Sequence, residues 1–146
     1  MASIRSARTE TWTPSRAFNA PSEAEILQYY EGMRQFWHPV LPATELPTDR
    51  PIGIELLGEK IVLARLNGQV VAMRDLCRHF QAQLSLGEIV NGPGGQQCLM
   101  CKYHGWHYAA QGQCVYIPQL LPGRDIPREA RVTTYQVVER YDLLWI

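Results

Sequence analysis

The chain has 146 residues, enough for one domain with a single hydrophobic core, and 46% of them are apolar, which excludes global disorder. Its 14 basic and 14 acidic residues cancel, so charge makes no case for nucleic acid or an anionic membrane surface as a partner. No stretch approaches the roughly 20 consecutive apolar residues that span a bilayer.

Residues 1–20 are polar, lack periodicity and contain Pro14, which reads as a loose arm. The first 11 lack the apolar run of a secretory signal; rich in Ser and Arg, they weakly resemble a transit peptide. Without an export signal, four cysteines read as thiols or metal ligands rather than as a disulfide framework. The expected setting is a soluble, reducing compartment, most plainly the bacterial cytoplasm.

A helix start is legible at Pro21-Ser22-Glu23-Ala24-Glu25, where Ser22 can cap the first turn and Glu25 can reach back to complete a capping box. Ile26, Tyr29, Tyr30, Met33 and Phe36-Trp37 recur at helical spacing, which predicts a helix over 21–38 ended by Pro39. Such an apolar stripe is expected to pack against its own domain.

From residue 52 the pattern changes to short β-rich runs. Strands are predicted at 52–57, 60–66 and 69–74, with turns at Gly58-Glu59 and Asn67-Gly68. Others follow at 88–90, 97–100, 106–109, 113–116, 131–138 and 143–146. The Gly/Pro-rich segment 91–95 reads as a loop, and 118–127 as an ordered crossing loop. Many short, closely spaced strands make the fold all-β, an antiparallel barrel or sandwich, with one N-terminal helix. The expected division is an arm at 1–20, a helix at 21–38 and one β domain at 39–146.

Two of the predicted loops carry paired soft and borderline ligands. The first is Cys77-Arg78-His79; the second is Cys101-Lys102-Tyr103-His104-Gly105-Trp106. Two thiolates and two imidazoles on loops anchored by sheet make a metal site. Structural zinc usually takes a C-x(2–4)-C pair and a separate His pair, whereas here each loop supplies one Cys and one His. That matched supply favours a two-iron cluster, with one iron taking both cysteines and the other both histidines. A structural zinc module is the remote alternative. Cys98-Leu99-Met100-Cys101 is itself a C-x-x-C, so Cys98 could replace one ligand; the simpler reading of Cys98 and Cys114 is as small buried strand residues.

Cys77-Arg78-His79 followed by Leu84-Ser85-Leu86-Gly87, then Cys101 to Trp106, resembles the N-terminal Rieske [2Fe–2S] domain of Rieske non-haem iron oxygenases. The likeness extends to Phe36-Trp37-His38-Pro39-Val40, to Gln111 through Pro118, and to a closing strand pair over 137–146. It covers about residues 36–146 and is nearest to the monooxygenase and demethylase branch, including the arylamine oxygenases. The resemblance implies a Rieske cluster on Cys77, His79, Cys101 and His104. Twenty-one residues separate His79 from Cys101, a few more than the family usually has, and 91–95 absorbs the surplus. Phe80-Gln81 stands where the family often has Arg-Gly. The respiratory branch carries an extra cysteine after each ligand pair; Ala82 and Tyr103 occupy those positions here, and Trp106 stands where that branch has a hydroxyl residue. A low potential is therefore expected, near the bottom of the roughly −150 to +300 mV range of Rieske centres.

His38, beside Pro39, reads as structural, and His107 as pointing away from the cluster by strand alternation. Trp106 is expected beneath the second loop. Tyr103 reads either as a hydrogen-bond donor or as packing, and Arg78 and Lys102 as solvated charges or as contacts for an acidic donor.

Four protein ligands leave a cluster no vacant position for substrate, so the expected work is one-electron transfer, with no catalytic residue in this chain. The family's mononuclear iron needs two His and a carboxylate, and only His38 and His107 remain. The primary reading is the electron-relay domain of an oxygenase whose catalytic domain lies outside this chain, in cis or in trans. The alternative is a complete Rieske ferredoxin. Partners implied are a reductase or ferredoxin as donor, with no nucleic acid or membrane, and a homo-oligomer in the full-length form.

Overall fold

The computed structural model describes residues 20–146, so the arm read at 1–20 lies outside the described residues but for its last. Helix α1 (Glu23–Met33) begins as read: Ser22 Oγ accepts from the Glu25 amide, and the Glu25 carboxylate accepts from the Ser22 amide at 2.8 Å. It stops at Met33 rather than at residue 38. The ring of Pro39 disfavours helical geometry at His38, whose N–H and C=O instead pair with Ile146 at 2.8 and 3.0 Å. The expected packing of its apolar stripe is not found, since no residue of α1 is buried and Leu27 and Tyr29 are exposed. Among the described residues its side chains meet a narrow turn: Tyr30 lies against Gly58, and Arg34, which caps the helix, pairs with Glu59 at 2.5 Å. A two-residue turn is too small to cover a helix face.

Eleven short strands follow, in three antiparallel sheets. The first sheet orders β1 (Pro39–Pro42), β11 (Leu143–Trp145) and β10 (Val138–Arg140). The second orders β2 (Ile52–Leu56), β3 (Glu59–Leu66), β4 (Gln69–Arg74) and β9 (Thr134–Tyr135). The third orders β5 (Glu88–Asn91), β6 (Gln97–Met100), β7 (His107–Tyr108) and β8 (Cys114–Tyr116). The all-β reading with one N-terminal helix holds.

Three hairpins turn on residue pairs with positive φ, the geometry whose twist matches paired strands. They are Leu57-Gly58, Asn67-Gly68 and Tyr141-Asp142. The first sits one residue earlier than the sequence indicated, because β3 starts at Glu59. Of the segment read as a loop at 91–95, Asn91 ends β5 and the rest is the connection to β6, where Gly94 and Gly95 both have positive φ and the Gly92 amide donates to Gln96 O at 2.8 Å. The strand predicted at 131–138 is divided among three neighbours. Arg131 bridges Gln113, β9 pairs with β4, and Val138 opens β10 in another sheet.

The middle strand β3 is buried on both faces. Val62, Ala64 and Leu66 point into a core shared with Met73, Leu84, Leu99 and Tyr108, while Ile61 and Leu63 point into a second core with Ala43, Leu46, Ala72 and Leu144. Cys77 and Cys101 belong to the first core. That core sets the rigid floor from which both ligand-bearing loops rise.

Candidate metal centre

The first loop leaves β4 and the second joins β6 to β7. They share one backbone frame. The amide of Cys77 donates to Ala82 O and that of Gln81 to Cys77 O, both at 2.8 Å. In the second loop Cys101 N–H donates to Trp106 O at 2.8 Å and Gly105 N–H to Cys101 O at 2.9 Å. In each frame the fifth residue has positive φ: 55° at Gln81 and 72° at Gly105. Two loops of different sequence thus make the same six-residue turn, each opening on a cysteine.

The frames sort the four candidate ligands by depth. Cys77 and Cys101 are 2% and 1% exposed and lie side by side. His79 is exposed and His104 half-buried, with ring centroids 4.8 Å apart. Among the described residues, no three His, Cys, Asp or Glu side chains close around one point as a single metal ion requires. Donors arranged as an inner thiol pair and an outer imidazole pair fit a two-iron cluster, whose bridging sulfides separate its ligand pairs, better than one tetrahedral zinc.

Neighbouring side chains hold this arrangement. Trp106 stacks on His79 from the other loop, at 4.6 Å and 7°, so it steadies the first loop's histidine rather than lying beneath its own loop. Tyr103 is exposed and packs its ring 3.9 Å from that of His104, which favours its packing role. Phe80, also exposed, reaches both imidazoles, at 4.3 Å from His79 and 5.6 Å from His104. Behind His104, Gln119 Nε2 donates to its carbonyl at 2.9 Å.

Desolvation pushes the Cys77 thiol up and the adjacent Cys101 adds to this, against the pull of the Tyr108 hydroxyl and the His79 amide. A thiol so placed gives up its proton readily only to a metal. Burial also pushes the Tyr108 hydroxyl up, so it stays protonated and able to donate. Sequence reasoning missed Tyr108. Its signal was strand alternation, which puts Tyr108 on the opposite face of β7 from His107 and into the core. It missed Asp75 as well. This buried carboxylate accepts from both the amide and the hydroxyl of Ser85 at 2.6 Å, clamping the base of the first loop to its far end.

The remaining candidates lie apart from this site. His38 Nε2 bonds Met33 O at 2.8 Å, at the end of α1. His107 packs on Tyr116, and burial lowers its pKa, so it is neutral at pH 7. Cys98 contacts Gln96 O and Cys114 contacts Tyr116 O, each within its own strand or hairpin.

The profile of the Rieske [2Fe-2S] domain matches residues 36–136. Among curated proteins, the methylxanthine N1-demethylase NdmA of Pseudomonas putida is 42% identical over 129 residues, covering 85% of this chain and 35% of that protein. The methylxanthine N3-demethylase NdmB of the same organism is 40% identical over 119 residues, covering 78% and 33%. The solved structure of NdmB superposes with a TM-score of 0.73 at 38% identity, over 82% of this chain and 36% of that one. Dicamba monooxygenase bound to dicamba superposes at 0.68 and 35% identity, over 77% and 34%. The chain spans about a third of the length of these relatives. It belongs to the Rieske [2Fe–2S] domain family, as the electron-transfer domain of the kind found in Rieske oxygenase α-subunits.

Proposed function

We propose that Cys77 and Cys101 hold the inner iron of the Rieske cluster, that His79 and His104 hold the outer iron, and that the chain relays single electrons to an oxygenase centre. The carrying observation is the shared loop frame, which buries a thiol pair in the core and turns an imidazole pair to the surface. A cluster held by four protein ligands supplies reversible one-electron storage without an open position for substrate. Tyr108 holds a proton against Cys77 Sγ, Trp106 fixes the plane of His79, and the buried sheet floor keeps water from the sulfurs.

The donor in this reading is a reductase or ferredoxin. The acceptor is a mononuclear non-haem iron in an oxygenase domain, in cis or in trans. The demethylases above, and the 36% identity over 118 residues to the aminopyrrolnitrin oxygenase PrnD of Pseudomonas fluorescens, support the monooxygenase and demethylase branch. A reducing compartment such as the bacterial cytoplasm suits four buried free thiols.

Electron paramagnetic resonance of the reduced chain tests the ligand set. The expected signal has a mean g below the free-electron value. His79→Ala or His104→Ala is expected to abolish it, and Cys98→Ser or Cys114→Ser to keep it. A native signal in a histidine variant removes that residue from the set.

A further inference from the structure

The site has two accessible sides of opposite chemistry. On the histidine side the exposed rings of Phe80 and Tyr103 flank His104, and an open hollow runs over Trp106, Ile117 and Leu120. This face is apolar. On the cysteine side a separate cleft of about 160 Å³ is lined by Arg74, Arg78, Arg131, Cys77, Gln81 and Thr133.

Three arginines line that cleft, and among the described residues none has a carboxylate within ion-pair reach. Glu59, whose charge reaches Arg74, is already engaged by Arg34 and Tyr135. Between residues 74 and 131 the chain carries six basic residues against four acidic ones, and one of the four, Asp75, is buried and committed to Ser85. The arginine backbones are fixed. Arg74 N–H donates to Thr133 O at 2.9 Å and Arg78 N–H to the Tyr108 hydroxyl at 3.1 Å. Arg131 N–H donates to Glu129 O at 2.8 Å, and its guanidinium reaches Gln111 O at 3.2 Å.

Like charges gathered on rigid backbone repel one another, and an incoming anion relieves that repulsion. The guanidinium fork is the donor best matched to a carboxylate. An apolar face suits a lasting contact, whereas a charged, wet cleft suits a brief and electrostatically steered encounter.

We propose that the arginine cleft is the docking site of the electron donor, a small redox protein that places an acidic segment between Arg74, Arg78 and Arg131 and so approaches the cysteine side. The proposal rests on the ligand reading above and adds where the donor binds and by what chemistry. The donor loses one electron and the cluster gains it; no bond is made or broken.

The test uses the cluster-loaded full chain with an acidic plant-type [2Fe–2S] ferredoxin as probe. Calorimetry gives its Kd, and stopped-flow absorbance follows reduction of the chain. The variant R74Q/R78Q/R131Q is expected to bind at least tenfold more weakly and to be reduced at least tenfold more slowly. Arg50→Gln, an exposed charge outside the cleft, is expected to change either by less than twofold. Reduction by methyl viologen radical, a small cation that needs no docking site, is expected to stay unchanged. Added salt should erase the difference between wild type and the triple variant. A triple variant with an intact Rieske spectrum that still binds like wild type overturns the proposal, as does wild type that fails to bind the ferredoxin at low salt. Should the triple variant lose its spectrum, Arg78→Gln and Arg131→Gln singly take its place, and wild-type binding by both overturns it equally. Wild type lacking a Rieske spectrum overturns the ligand reading itself, and the docking proposal falls with it.

Discussion

The hydroxyl of Tyr108 lies 3.1 Å from the sulfur of Cys77, and the amide of Arg78 donates to that same hydroxyl oxygen at 3.1 Å. With its oxygen occupied as an acceptor, the tyrosine has its proton free for the sulfur. A proton donated to a ligand sulfur favours the reduced cluster, which carries the extra negative charge. A hydrogen bond worth about 0.5–1.5 kcal/mol corresponds to about 20–65 mV for one electron. Tyr108→Phe is therefore expected to keep the cluster and lower its potential by that amount in protein-film voltammetry. An unchanged or higher potential would show that the bond does not tune the centre. Wild type itself is expected near the bottom of the Rieske range, and a midpoint well above zero would contradict that placement.

Gly105 has a φ of 72°, and a Cβ there would meet Pro118 Cγ at 2.9 Å. Gly105→Ala combines left-handed strain with that contact, so a loss of about 1–3 kcal/mol is expected. Gln81 has the same role in the other frame, with a φ of 55°, and lies exposed. Gln81→Gly is expected to be neutral or slightly stabilising. Thermal unfolding of the two variants measures the contrast, and equal Tm values would refute it.

Asp75 is 1% exposed, and both of its carboxylate oxygens are engaged by Ser85 at 2.6 Å. Asp75→Ala leaves the Ser85 amide without its partner near the core, an expected cost of about 2–4 kcal/mol. Ser85→Ala removes one of the two bonds and should cost about 1–2 kcal/mol. Because the clamp closes the loop that bears Cys77 and His79, cluster content should fall in the same order. Urea unfolding together with iron analysis checks both. Full iron content in Asp75→Ala would show that the clamp does not serve the loop.

Burial pushes the Cys114 thiol from an ordinary 9.0 up to about 11. Burial first, then the hydrogen bond to Glu59, pushes the Tyr135 hydroxyl from 10.0 up to about 12. Both groups lose their protons earlier in the unfolded chain, so across those windows the folded state holds more protons. Between about pH 7 and 8.5 these two groups leave stability level, and it should then fall as pH rises toward 12. The slope per group is at most about 1.4 kcal/mol per pH unit. Urea midpoints between pH 7 and 11 test this, and Cys114→Ala should flatten the fall between pH 9 and 11. A midpoint that does not drop above pH 9 would refute the assignment.

Local signals were legible from the chain alone. The capping box of Ser22 and Glu25, the Asn67-Gly68 hairpin, and the Cys/His pairs of the two loops each depend on residues a few positions apart. The alternation and shortness of the apolar runs were enough for an all-β fold, because a strand's buried face repeats every second residue. The end of α1 was misplaced because the pairing that displaces it joins His38 to Ile146, at the far end of the chain.

Only the tertiary structure decided the rest. It buried β3 on both faces, split the segment from Arg131 among three neighbours, and, among the described residues, buried no side chain of α1. It brought Tyr108 to Cys77 across 31 positions, Trp106 to the histidine of the other loop, and Arg131 into one cleft with Arg74 and Arg78. Spacing along the chain specifies which side chains one loop can offer together. Which side chains from different loops meet depends on how the sheets stack, and that is set by the combined burial of many apolar residues rather than by any one stretch.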